Sequence, residues 1–201
     1  MLTSKHQFDT KQEKITYLDN NQALVLINES VEEQERPITT FVESDSGDTE
    51  STTEYESVTV YNYDGYITTV SDKTESGVLK SIKEDAIAAI KAYDTSCAVN
   101  NFLFNGKWLW VDKSTRVGLM NSITIEKNAG KENTVMWFNG DKIELSCESA
   151  IQFLSMLEMY ALTCYNVTAA HEKAVEGFTT IEEILNYDYT AGYPEKLRLG
   201  M

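Results

Sequence analysis

Positive charge is what this sequence has least of for its size. In 201 residues, 17 Lys and Arg stand against 32 Asp and Glu, a formal net charge of −15. Phosphate contacts need Lys and Arg, so the balance argues against a nucleic-acid partner. It argues equally against docking on anionic lipid by charge. No run of about 18 apolar residues exists, so no membrane insertion is expected. The start, MLTSKHQFDTK, lacks the apolar stretch of a secretory leader, and none is expected. The three cysteines, Cys97, Cys147 and Cys164, are odd in number and far apart. That spacing does not make a disulfide framework or a zinc site, so reduced, mostly buried thiols made in a reducing cytoplasm are expected.

Histidine is nearly absent too. His6 lies near the start, and His171 precedes Glu172, but Val175 stands where a His-Glu-x-x-His zinc motif needs its second histidine. His171 therefore reads as a partly buried helix histidine bonded to a neighbour, and no metal is expected. No Gly-rich phosphate loop follows a strand and no Gly-x-Ser-x-Gly elbow is present. Carboxylates do come in pairs that a hydrolase could use: Asp141 with Glu144, Glu182 with Glu183, Asp188 with Glu195. Chance supplies such pairs among 32 acids, and a solvated surface is the expected reading. No catalytic residue, no cofactor and no enzymatic activity is expected.

What is present is helical periodicity. From Ala150 to Phe178, apolar residues recur on one helical face through Ile151, Leu154, Leu157, Tyr160, Ala161, Cys164, Val167, Ala170, His171, Ala174 and Val175. Ser146 is placed to cap this helix, Gly177 to end it, and Thr180 with Glu183 forms a capping box for a second, shorter helix. Residues 76–93 predict an amphipathic linker helix with Val78, Leu79, Ile82, Ile87 and Ile90 on one side. Asp112 or Ser114 can cap a further helix to about Lys127, with Val117, Met120 and Ile123 inward. Asp112 and Arg116 then stand at i, i+4, the spacing of a helix-start salt bridge.

Strand signals fill the rest. After a loose start at 1–12, KITYL and QALVLINES read as strands joined by Asp19, Asn20 and Asn21, and Pro37 opens the extended piece PITTFV. Residues 43–56 carry Glu43, Asp45, Asp48, Glu50, Glu54 and Glu56 among serines and threonines, which predicts a mobile loop. A calcium loop is the sharper reading, but the Asp-x-Asp-x-Asp-Gly pattern is missing. Asp64-Gly65, between SVTVYNY and YITTVS, predicts a hairpin turn, as do Asn105-Gly106 and Asn139-Gly140. Asn28-Glu-Ser30 and Asn166-Val-Thr168 match a glycosylation pattern that means little without a secretory signal.

The expected fold is α+β. A β-rich module over 1–73 leads through a linker helix at 74–93 into a 94–201 domain of two hairpins and two to three helices around one long helix. Aromatics gather near the turns: Trp108, Trp110, Trp137, Phe138, Tyr187, Tyr189 and Tyr193. They can cap a small core, anchor a protein interface or stack on sugars. Trp108, Trp110, Tyr187, Tyr189 and Tyr193 are the candidate interface residues.

Three stretches carry a resemblance: AYDTSCAVNNFLFNGKWLWVDKSTRVGLMNSI, TVMWFNGDKIELS, and LEMYALTCYNVTAAHEKAVEGFTTIEEILNYDYTAGYPEKL. Together, over about residues 83–199, they resemble an uncharacterised domain family of tail-associated proteins from Bacteroidetes phages and prophages. The segments WVDK-x-TR, LE-x-YA and YDYTAGYPEKL are its most specific marks. The resemblance implies a non-enzymatic component of a tailed-phage virion: a fibre, hub or adaptor part of the tail, made in the bacterial host cytoplasm. It implies other tail proteins as partners and self-assembly into a homo-oligomer on a symmetric tail. A tail-fibre assembly factor that leaves the particle is the alternative, and host-glycan binding a weaker one. Depolymerases carry long β-repeats, which are lacking here.

Overall fold

A computed structural model describes residues 3–43, 49–138 and 140–200. The fold is α+β, and the described residues form four helices and three antiparallel or mixed sheets. By contact density the chain forms two compact units, 1–85 with 178–187 and 86–177 with 188–201. The helix expected to link two parts is there, Glu75–Thr95 (α1), and the units divide within it.

The first unit is a sheet ordered β1-β4-β3-β2: Ser4–Phe8 (β1), Ile15–Tyr17 (β2), Gln22–Glu43 (β3) and Thr49–Thr69 (β4). Its pairs are all antiparallel. Asn20 and Asn21, both at positive φ, make the tight β2–β3 turn. The buried residues Ala23, Val25, Leu26, Ile27, Val60, Tyr63 and Val70 come from β3, β4 and the end of β4. Thr74 Oγ1 accepts from Gly77 N at 3.0 Å and so caps α1, whose first half buries Val78 and Ile82. Asp85 accepts from Thr68 at 2.7 Å and from Tyr66 at 3.1 Å, tying that half of the helix to β4. The short helix Ile181–Leu185 (α4) buries Ile181, Ile184 and Leu185, and the expected Thr180/Glu183 capping box is formed.

Three expectations for this unit are corrected. The start is not loose, because β1 pairs with β4 from Ser4↔Gly65 to Phe8↔Tyr61. Asp64-Gly65 makes no turn; both residues sit inside β4, with Asp64 opposite Ile27 on one side and Lys5 on the other. Gly65 serves close packing instead, since a Cβ there would lie 2.4 Å from the His6 ring. Of the 43–56 loop, Glu43 belongs to β3 and residues 49–56 to β4. Asp45 and Asp48, two of the six acids behind the calcium reading, lie outside the described residues.

The second unit is built on Cys147–Gly177 (α3). Ser146 Oγ accepts from Ser149 N at 3.1 Å, the expected cap. Leu154, Leu157, Tyr160, Cys164, His171 and Val175 are buried as the periodicity requires; Ala170 is exposed, while Phe153 and Thr168 join the buried face. Lys113–Asn128 (α2) packs along α3, buries Ile123, and leaves Val117 exposed rather than inward. Two hairpins complete the unit: Phe102–Phe104 (β5) with Lys107–Leu109 (β6), and Asn133–Phe138 (β7) with Asp141–Ser146 (β8). Asn105-Gly106 makes the first turn at positive φ for both residues. Arg198–Leu199 (β9) adds to β5 in parallel, a pairing no local pattern signals. Phe102, Phe104, Met136, Phe138, Phe153, Leu154 and Leu157 share one core.

Candidate interaction surface

The β3–β4 hairpin outruns its sheet. β1 covers β4 only at 61–65 and β2 covers β3 only at 23–25, yet β3 and β4 stay paired from Ser30↔Asn62 to Glu43↔Thr49. At about 3.4 Å per residue that arm is roughly 45 Å long. Why do these residues stay extended? Val, Ile, Thr, Tyr and Phe are strand formers and recur in VEEQERPITTF and STTEYESVTV, and Thr39↔Thr53 and Thr40↔Thr52 stand cross-strand.

Cross-strand partners share a face. One face of the arm carries Val31, Glu33, Glu35, Pro37, Phe41 and Tyr55; the other carries Glu32, Arg36, Ile38, Glu54, Glu56 and Val58. Val31 is 54%, Tyr55 69% and Phe41 72% exposed. A two-stranded hairpin alone is marginally stable in water at best, because neither face is buried. The arm thus presents apolar side chains that its own unit does not cover.

Its base is pinned by ion pairs. Arg36 reaches Asp9 at 2.5 Å, and Lys11 reaches Glu29 at 2.9 Å, with Tyr63 donating to the same carboxylate at 3.1 Å. The Lys11 ammonium and the Tyr63 hydroxyl hold the Glu29 carboxyl below its ordinary value. Asp64 is likewise lowered, by the Asn28 amide and then Lys5.

Of the expected interface aromatics, Trp110 and Tyr193 pack with Tyr93 against one buried cluster of Val99, Tyr160 and Cys164, and Tyr189 joins them through Tyr93. Trp108 is half-exposed, with the Lys196 ammonium 5.2 Å over its ring. Trp110 lies partly buried under the Arg116 guanidinium. Tyr189 and Tyr193 both stack edge-on against Tyr93, and the Tyr193 hydroxyl is 2.9 Å from Thr168 Oγ1. Tyr187 packs against Phe178 in the first unit. Trp137 stands outward on β7 while Phe138 is buried. Sequence reasoning missed the arm because its Glu, Ser and Thr content resembles a loop; the concentration of Thr, Tyr and Val from Ser51 to Val60 was the available signal.

The paired carboxylates are spent separately. Lys107 takes Asp141 at 2.6 Å and Lys142 takes Glu144 at 3.2 Å, three residues apart on a strand and so on opposite faces. Lys14 takes Glu182 at 2.8 Å, while Glu183 accepts from the Thr179 and Thr180 backbone. Asp188 accepts from Thr190. His171 is buried, with Nε2 2.9 Å from Ala191 O. Burial pushes the Cys164 thiol and the Tyr160 phenol up. Among the described residues no three of His, Cys, Asp and Glu converge as a metal ion needs, and no helix is long and apolar enough to cross a membrane.

The Asp112–Arg116 bridge is a correction. Asp112 caps α2, accepting from Thr115 N at 2.9 Å and from the Ser114 and Thr115 hydroxyls. Arg116 turns away to Glu158 on α3. Set against protein families, curated proteins and solved structures, the chain matches none.

Proposed function

We propose that this protein is a non-enzymatic structural part of a tailed-phage virion, a fibre, hub or adaptor piece of the tail, that works through protein contacts made by its β3–β4 arm. The arm is the observation that carries the reading. It is too long and too uncovered to serve the first unit's core, and its apolar side chains gain from burial against another chain.

The motif residues behind the phage resemblance support the same reading. Asp112 caps a helix, Arg116 joins two helices, and Tyr193 bonds to Thr168. These residues hold a shape rather than gather around a substrate. Self-association into a homo-oligomer on a symmetric tail is part of the proposal.

Quantitative mass spectrometry of gradient-purified, salt-washed particles tests it. A fixed copy number per particle is expected. Presence in lysate but absence from particles would turn the reading to an assembly factor that binds its client and leaves.

A further inference from the structure

Which partner does the arm fit? Its outer edges differ. The β3 edge is interrupted by Pro37, which has no N–H to offer an added strand, and by a register shift between Ile27 and Ser30. The β4 edge from Ser51 to Val60 has neither interruption, and among the described residues no strand pairs with it on the side away from β3. β1 stops at Phe8↔Tyr61, so an added strand would continue the line that β1 begins.

That edge also has two chemically distinct faces. Glu54 and Glu56 project on one, opposite Ile38 and Arg36 of β3, with Glu32 across from Val60 on the same side. Tyr55 projects on the other, beside Pro37 and with Phe41 further along, while the carboxylates of that face, Glu33 and Glu35, stand on β3 away from the β4 edge. Arg36, the arm's only cation, is taken by Asp9. It stands opposite Glu56 in register but turns away, and among the described residues no ion pair reaches Glu32, Glu54 or Glu56.

We propose that the arm takes an extended segment of a different protein, alternating Lys or Arg with apolar residues, as a strand added along Ser51–Val60. Its cations meet Glu54 and Glu56; its apolar side chains cover Tyr55 and Phe41. Main-chain hydrogen bonds supply affinity and the alternation supplies specificity. A second copy of this chain fits poorly, because like charges would stand opposite one another on a protein already at −15. The inference rests on the reading of the arm as the contact element.

The test uses the full chain and defined probes. A short synthetic peptide of alternating lysine and valine should bind by calorimetry, more weakly as salt rises. Its glutamate–valine counterpart and phosphatidylcholine vesicles should not bind. Glu54→Gln with Glu56→Gln should weaken the lysine–valine peptide about tenfold and flatten its salt dependence. Tyr55→Thr should weaken it about tenfold while keeping the salt dependence. Both variants change exposed side chains, and unchanged melting curves verify that they fold. Absence of peptide binding, equal binding of both peptides, vesicle binding lost in Tyr55→Thr, or a dimer by sedimentation lost in Tyr55→Thr would each overturn the proposal. Particle content does not enter this result, so the tail reading can fall while the partner chemistry stands, and the reverse.

Discussion

Arg116 Nε donates to Glu158 Oε2 at 2.8 Å while Nη1 of the same guanidinium donates to Val111 O at 2.6 Å. One buried cation thus ties α2, α3 and the link between β6 and α2 together. Arg116 is 5% exposed and Glu158 46%, so the carboxylate side of the pair is screened by water. Arg116→Ala should cost about 2 kcal/mol or more in urea unfolding, since Val111 O loses its donor and the stacked Trp110 loses its cover. Glu158→Gln should cost under about 1 kcal/mol. Equal losses in the two variants would mean that the ion pair, not the buried guanidinium, sets the cost.

Leu157 is fully buried at the centre of α3. Leu157→Ala should cost about 2–5 kcal/mol by chemical denaturation. Leu157→Asp should leave no cooperative transition in circular dichroism, because an unpaired charge would enter the core. Melting of the Asp variant like the parent would show that the core face is wrongly placed.

Gly65 lies under the His6 ring, a diagonal neighbour two residues along β1 from its register partner Ser4. Gly65→Ala should destabilise the first unit by about 1 kcal/mol, and adding His6→Ala should recover most of the loss, since the clash is with the imidazole alone. Equal loss in the double variant would place the strain in the β4 backbone instead.

Glu183 gives a pH dependence with a definite sign. Thr179 and Thr180 backbone N–H groups hold its carboxyl below the ordinary 4.5. The stability it adds is complete above the unfolded value and is lost as pH falls through the lower folded one. Glu183→Gln should therefore flatten the fall in melting temperature below about pH 4.5 and leave the slope at neutral pH unchanged. An acid slope identical to the parent's would remove the cap from the pH response.

How much of this was legible in the sequence follows from range. Helix ends were, because caps are local: Ser146, Asp112 and the Thr180/Glu183 box all sit where their spacing put them. Arg116 was not, because its nearest carboxylate in sequence already caps a helix and its true partner is on another helix. Asp64-Gly65 misled because a turn dipeptide inside a long strand looks the same as one between two strands; only pairing with β1 and β3 decides it. The parallel β9 strand is two residues long, too short for any pattern. The arm was misjudged because glutamate-rich strands carry so little apolar surface that local composition reads as loop.

The most direct measurement removes the arm. Glu33 and Thr59 are cross-strand partners, so an Asn-Gly turn can replace 34–58 and close the hairpin early. The shortened chain should melt as the parent does, and phage assembled with it as their only copy should lack it after a salt wash. Retention at the parental copy number in a folded, arm-less chain would contradict the arm's role in holding the protein to the tail.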